Sequence, residues 1–109
     1  MKKIIYKYPL SSEDAPELLT LGANQPFKMK MSRGAEILDV QAQKCMSSQR
    51  IPHVVGKIWA LCDPAEKEME ERTFRLIQTG SVLDCVNVKY IGTYQLYGGD
   101  TILHLFEQF

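Results

Sequence analysis

The chain has 109 residues, 45% of them apolar and 24% charged; this balance excludes a disordered tail and makes one domain, residues 1–109, the expectation. Thirteen basic side chains balance thirteen acidic ones, so no global field draws the chain to nucleic acid or to an anionic membrane. Cys45, Cys62 and Cys85 are widely spaced and odd in number, which argues against a disulfide-stapled framework and for reduced thiols in a cytoplasmic setting.

Lys3–Leu10 alternates, with Ile4, Tyr6 and Tyr8 on one side and Pro9 closing the run, and reads as a first strand. Lys2, Lys3 and Lys7 stud this stretch, which lacks the unbroken apolar core and cleavage site of a signal peptide. Nowhere is a run long enough to cross a bilayer. Ser11–Gln25 is read as a loop in which Ser12 and Asp14 cap at most one helical turn through Pro16–Leu19. Phe27, Met29 and Met31 alternate with Lys28 and Lys30, the clearest half-buried strand in the chain. Arg33 and Gly34 supply a turn, and Leu38, Val40 and Ala42 then alternate with Asp39, Gln41 and Gln43. Lys44–His53 is polar, contains Pro52 and reads as an exposed loop.

Val54–Cys62 is a short run of β-formers around Trp59 and reads as a central strand covered on both faces. Ala65–Glu71 reads as a long hairpin tip, with a one- or two-turn helix as the competing reading, before Phe74 and Leu76 alternate with Arg75. Thr79–Ser81 marks a turn, and Val82–Tyr97 is rich in valine, isoleucine, threonine and tyrosine, with Gly92 placed to allow a bulge. Gly98-Gly99-Asp100 signals a hairpin into a last strand, Thr101–Phe106. About seven short strands with hardly any helical periodicity predict an all-β fold, or mainly β with one short helix, arranged as an antiparallel β-sandwich or flattened barrel. A chain this short leaves about a third of its unfolded-state surface exposed after folding, which favours a homo-oligomer.

No nucleophile elbow, phosphate-binding glycine loop or dinucleotide fingerprint is present, so neither enzymatic turnover nor a cofactor is expected. Without a Cys-x-x-Cys pair, and with only His53 and His104, no metal site is expected either. His104 sits in an apolar strand and reads as a hydrogen-bonded structural histidine, His53 as solvated. A hydrolase using either histidine with a nearby carboxylate is the minority reading. Glu66, Glu68, Glu70 and Glu71 read as a solvated tip, and Trp59 as core, with stacking on a base or sugar as its functional alternative. Arg33, Arg72 and Arg75 are the candidates for anion binding, because a guanidinium offers phosphate or carboxylate two parallel hydrogen bonds. Arg33 precedes Gly34 in a turn whose backbone N–H groups are placed to join it around an anion.

The succession Ile5-Tyr6-Lys7-Tyr8-Pro9-Leu10, Arg33-Gly34-Ala35-Glu36-Ile37-Leu38-Asp39-Val40-Gln41, Ile58-Trp59-Ala60-Leu61, Tyr90-Ile91-Gly92-Thr93-Tyr94-Gln95 and His104-Leu105-Phe106-Glu107 resembles a family of small, uncharacterised β proteins encoded by bacteriophages and prophages. These motifs mark the order of strands, so no functional residue is carried over with them. The resemblance implies a phage accessory protein in the cytoplasm of the host bacterium. It would bind a small phosphorylated, nucleotide-like signalling molecule or block a host protein, and so counter antiviral defence. A minor virion structural or assembly protein is the alternative. Arg33, Arg72, Arg75, Trp59 and Tyr94 are the expected ligand-binding residues, gathered in a pocket of a symmetric oligomer.

Overall fold

The computed structural model describes residues 2–10, 26–46, 52–96 and 101–109. Seven antiparallel strands form two sheets: β1 (Ile4–Pro9), β2 (Phe27–Ser32), β3 (Glu36–Met46), β4 (Pro52–Cys62), β5 (Met69–Gln78), β6 (Val88–Leu96) and β7 (Thr101–Gln108). The three-stranded sheet has the order β1-β4-β3 and the four-stranded sheet the order β2-β5-β7-β6. This is the sandwich expected from the sequence. No helix among the described residues is long and apolar enough to cross a membrane. The expected helical turn at Pro16–Leu19 lies outside the described residues.

Alternation builds the core. In β2 the expected pattern holds residue by residue, with Met29 and Met31 buried and Lys28 and Lys30 exposed. Phe74 and Leu76 of β5, Leu103 and Leu105 of β7, Ile58 and Ala60 of β4, Val40 of β3 and Tyr94 of β6 complete the layer between the sheets. Phe27 and Phe74, directly opposed across β2 and β5, pack their rings 5.9 Å apart.

The two sheets meet along β3 and β6, and each of these strands carries a bulge. One lies between Ile37 and Asp39, the other between Tyr90 and Gly92. The β6 irregularity is the one anticipated at Gly92. An extra residue bends a strand and sharpens its twist, which lets β3 and β6 converge. Their approach is close: a Cβ on Gly92 would stand 2.8 Å from Val40 Cγ1, so only glycine admits this contact. The β3 bulge also turns Leu38 out of the alternation expected for it, and 48% of its surface is exposed.

Several expected boundaries change once the sheets are assigned. The Arg33-Gly34 turn, with Gly34 at φ +79°, joins β2 of one sheet to β3 of the other. Residues 63–68 likewise cross between sheets, from β4 to β5, and are not a hairpin tip. The polar run Lys44–His53 contributes residues to both β3 and β4, which pair out to Met46 and Pro52. The strand expected from Val82 begins only at Val88. β5 and β6 both run antiparallel to β7 between them, so residues 79–87 must cross the sheet to reach β6. Arg75 NH1 lies 3.6 Å from Asp84 Oδ1 on the outer face, and Ile77, at an outward position, is buried. Val82 and Val86 stay exposed in this strap despite their β propensity.

Burial of Tyr94 sets an alkaline limit to stability. Its phenol is pushed well above the ordinary value near 10 because burial disfavours the phenolate. The folded state therefore holds this proton more tightly than the unfolded chain does. The associated stability is complete below about pH 10 and is lost as pH rises above it. Tyr8 is shifted the same way, chiefly by burial. Urea unfolding at pH 9 and at successive steps toward pH 11.5 should show a falling midpoint, and Tyr94→Phe should flatten most of that fall; an equal fall in both proteins would contradict this origin.

Candidate functional site

At one end of the sandwich the inward face of the four-stranded sheet changes from apolar to charged. Glu107 continues the inward period of Leu103 and Leu105, and Arg72 that of Phe74 and Leu76. Lys89 lies directly opposite Glu107 across β6 and β7. Two opposite charges at inward positions require each other, because an unpaired buried ion costs several kcal/mol. They meet as a bidentate pair: Arg72 Nε donates to Glu107 Oε2 at 2.6 Å and Arg72 NH2 donates to Oε1 at 2.8 Å. The remaining donor arm, NH1, reaches the carbonyl of Ala35 at 2.6 Å and so ties the β2–β3 corner to the pair. The Glu107 hydrogen bonds, more than any other influence, raise the Arg72 pKa above its ordinary value.

The corner itself is fixed by short-range chemistry. Arg33 N–H donates to the Glu68 carbonyl at 3.0 Å, Gly34 N–H to Glu70 Oε1 at 3.2 Å and Ala35 N–H to the Ser32 carbonyl at 3.1 Å. Glu70 also stands 3.9 Å from Arg72 NH1. Three of the four glutamates expected at a solvated tip thus have side-chain partners: Glu66 pairs with Arg33, Glu70 accepts from Gly34 N–H, and Glu71 lies 3.6 Å from Lys28 Nζ.

Two adjoining hollows open between this corner and the ends of β5, β6 and β7. Both are lined by Gly34, Ala35, Arg72, Glu107 and Phe109. The first, about 340 Å³, extends over Glu36, Ile37, Lys89, Tyr90 and Ile91 at the two bulges. The second, about 410 Å³, extends over Glu70, Glu71, Thr73 and Gln108. The first hollow is lined by the cations Arg72 and Lys89 and the carboxylate of Glu107; Glu36, opposite Leu61 and so turned toward the outer face of its sheet, borders it at the rim. Tyr90 has its hydroxyl 2.6 Å from Thr93 Oγ1 and its ring 5.5 Å from that of Phe106 on the outer face. Phe109, 72% exposed, is therefore the aromatic surface that the cleft offers. Among the described residues, no group of three or more His, Cys, Asp or Glu side chains is placed to hold a metal ion.

Of the expected binding residues, Arg72 lies in the cleft wall and Arg33 in the adjoining turn, where its exposed side chain pairs with Glu66 at 3.3 Å. The other three stand elsewhere. Arg75 clamps the strap, with Nε donating to Gln108 Oε1 at 2.8 Å. Tyr94 is in the core, and Trp59 is half-buried on the outer face of the three-stranded sheet, since its neighbours Ile58 and Ala60 point inward. His104 is held as expected of a structural histidine, its Nε2 2.8 Å from Thr79 Oγ1 and its Nδ1 2.8 Å from Thr93 Oγ1. It lies on the outer face, opposite the cleft. His53 falls within β4. Cys62 and Cys85 are free thiols.

Glu107, Lys89 and Phe109 were not among the residues singled out from the sequence. The available signal was the inward period shared by Glu107 with Leu103 and Leu105, a carboxylate where a hydrophobe belongs. A family model described as a domain of unknown function, DUF7352, matches residues 1–109. No curated protein and no solved structure matches the chain.

Proposed function

The chain belongs to the DUF7352 family, and on that premise we propose a non-enzymatic binding protein whose cleft takes a small nucleotide-like ligand of low net charge. The low net charge of the first hollow, where Arg72 is neutralised by Glu107 and Lys89 stands with Glu36 at the rim, supports this reading. Its volume, about 340 Å³, falls in the range of small-molecule sites. Arg72 is committed to Glu107 and Ala35, which leaves Lys89 as the cation for one phosphate and Phe109 as the surface on which a base stacks. A polyphosphate would bring more negative charge than Lys89 can balance beside Glu36. The resemblance to phage and prophage proteins supports placing this binding in the cytoplasm of an infected bacterium, where sequestering such a signal counters antiviral defence.

Titration with adenosine monophosphate, followed by amide NMR, tests the reading. Saturable shifts are expected at Gly34, Ala35, Lys89 and Phe109, with Lys89→Glu and Phe109→Ala each weakening binding by about tenfold or more. Adenosine triphosphate should bind no more tightly than the monophosphate. Shifts centred elsewhere, or variants that bind as wild type does, would count against the cleft. The alternative, a minor virion component or a blocker of a host protein, draws support from exposed Ile5 and Leu38 on the three-stranded sheet. Mass spectrometry of purified virions separates the virion reading from the others.

A further inference from the structure

We propose that residues 79–87 form a strap that lifts from the outer face of the four-stranded sheet as one unit while the sandwich stays folded, and that its closure fixes the cleft residues Lys89 and Phe109. The second half rests on the cleft as the binding site. The strap pairs with neither sheet. Seven of its nine residues are exposed, and the other two, Leu83 and Cys85, are only half-buried. A segment without a fully buried side chain gives up little on leaving the surface, so it opens at far lower cost than the strands it crosses. β7, beneath it, is held by Leu103 and Leu105, both fully buried in the core.

The strap is tied at both ends and held in the middle by charge. At its start, Thr79 N–H donates to the Ile102 carbonyl at 3.3 Å, and the Thr79 hydroxyl lies 2.8 Å from His104 Nε2. Midway, Asp84 reaches Arg75 NH1 at 3.6 Å with 71% of its side chain exposed. An ion pair with so wet a member biases the strap toward closure by no more than about fivefold. At the far end, the Asn87 carbonyl accepts from Phe109 N–H at 2.8 Å. Two residues further on, Lys89 enters the cleft opposite Glu107. That last bond belongs to the strap and to the cleft alike, because lifting Asn87 releases the backbone that carries the Phe109 ring. By reciprocity, a ligand that engages Lys89 and Phe109 in their closed positions holds the strap down.

The experiment is amide relaxation dispersion on the full chain without ligand, repeated on Asp84→Asn and Asp84→Lys and then with adenosine monophosphate. Amides from Gly80 to Asn87 should share one exchange rate on the microsecond-to-millisecond scale. Phe109 should share it, and Leu103 and Leu105 should not. Asp84→Asn should raise the open fraction by about two- to fivefold, and Asp84→Lys, which sets like charge against Arg75, by more. Adenosine monophosphate at about ten times its dissociation constant should lower the open fraction by about tenfold. Exchange shared with Leu103 and Leu105, or none in the strap of any of the three proteins, would overturn the strap. Strap exchange that leaves Phe109 out, or that persists when the bound nucleotide saturates the chain, would overturn its link to the cleft. A nucleotide that does not bind would remove the cleft reading alone, and the exchange measured without ligand would still decide whether strap and Phe109 move together.

Discussion

Arg72→Ala should destabilise the fold by about 3 to 5 kcal/mol, the cost of leaving a buried carboxylate without its partner. The Glu107 side chain is 6% exposed and that of Arg72 17%, so removing the guanidinium strands Glu107 in a place water barely reaches. The same variant releases the carbonyl of Ala35 and loosens the β2–β3 corner. Replacing both partners, Arg72→Met with Glu107→Leu, should recover most of the loss, because a buried ion pair holds little advantage over apolar side chains of similar volume. The Arg72 pKa is raised, mainly by its hydrogen bonds to Glu107. A cation shifted upward contributes stability at every pH below its unfolded value and loses it only as pH climbs through the folded one. The Arg72→Ala penalty should therefore be the same at pH 6 and pH 9. Urea denaturation of the three proteins at both pH values checks this; a penalty under 1 kcal/mol would mean that the pair is solvated.

Phe74→Ala should cost a comparable 3 to 5 kcal/mol, by a different route. Phe74 is fully buried, packs against Phe27 and lies directly opposite Glu107 across the β5–β7 ladder. Truncating it opens a cavity in the row beside the ion pair. Phe74→Leu, which keeps most of the volume, should cost less than about 1.5 kcal/mol. Because Phe74 adjoins Glu107, the penalties of Phe74→Ala and Arg72→Ala should not add, and their coupling measured in a double-mutant cycle should reach 0.5 kcal/mol or more. Strict additivity would show that the apolar core and the charged end respond independently.

Local patterning revealed much of this fold. The alternation of Phe27, Met29 and Met31 with lysines, the turn at Gly34 and the irregularity at Gly92 all express chemistry confined to a few neighbouring residues, and each has its counterpart in the structure. Which sheet a strand joins depends on distant contacts. The turn residues before Ala35 and after Cys62 announce a reversal equally well for a hairpin or for a crossing between sheets, and here they make crossings. Val82 and Val86 favour strands intrinsically, yet the passage from β5 over β7 to β6 places them in an exposed strap. Topology overrides propensity there.

The same distinction governs the cleft. Periodicity assigns Arg72 to the face of Phe74 and Leu76, but nothing local says that the facing charge comes from Glu107, 35 residues away. Arg75 is one step out of phase with Phe74 and Leu76 and so lies on the opposite face, clamping the strap to Gln108. Trp59 and Tyr94, both rich in bindable surface, sit on different sheets and different faces, because composition identifies an aromatic residue without identifying its neighbours. Lys89 gains its place in the cleft only through its register with Glu107.

Native mass spectrometry of the protein isolated from the cells that make it, followed by denaturation and mass analysis of whatever is released, tests the binding role most directly. The cleft reading predicts one small phosphorylated molecule per chain, recovered unchanged from wild type and absent from Lys89→Glu. An empty wild type, or a ligand retained equally by the variant, would contradict it.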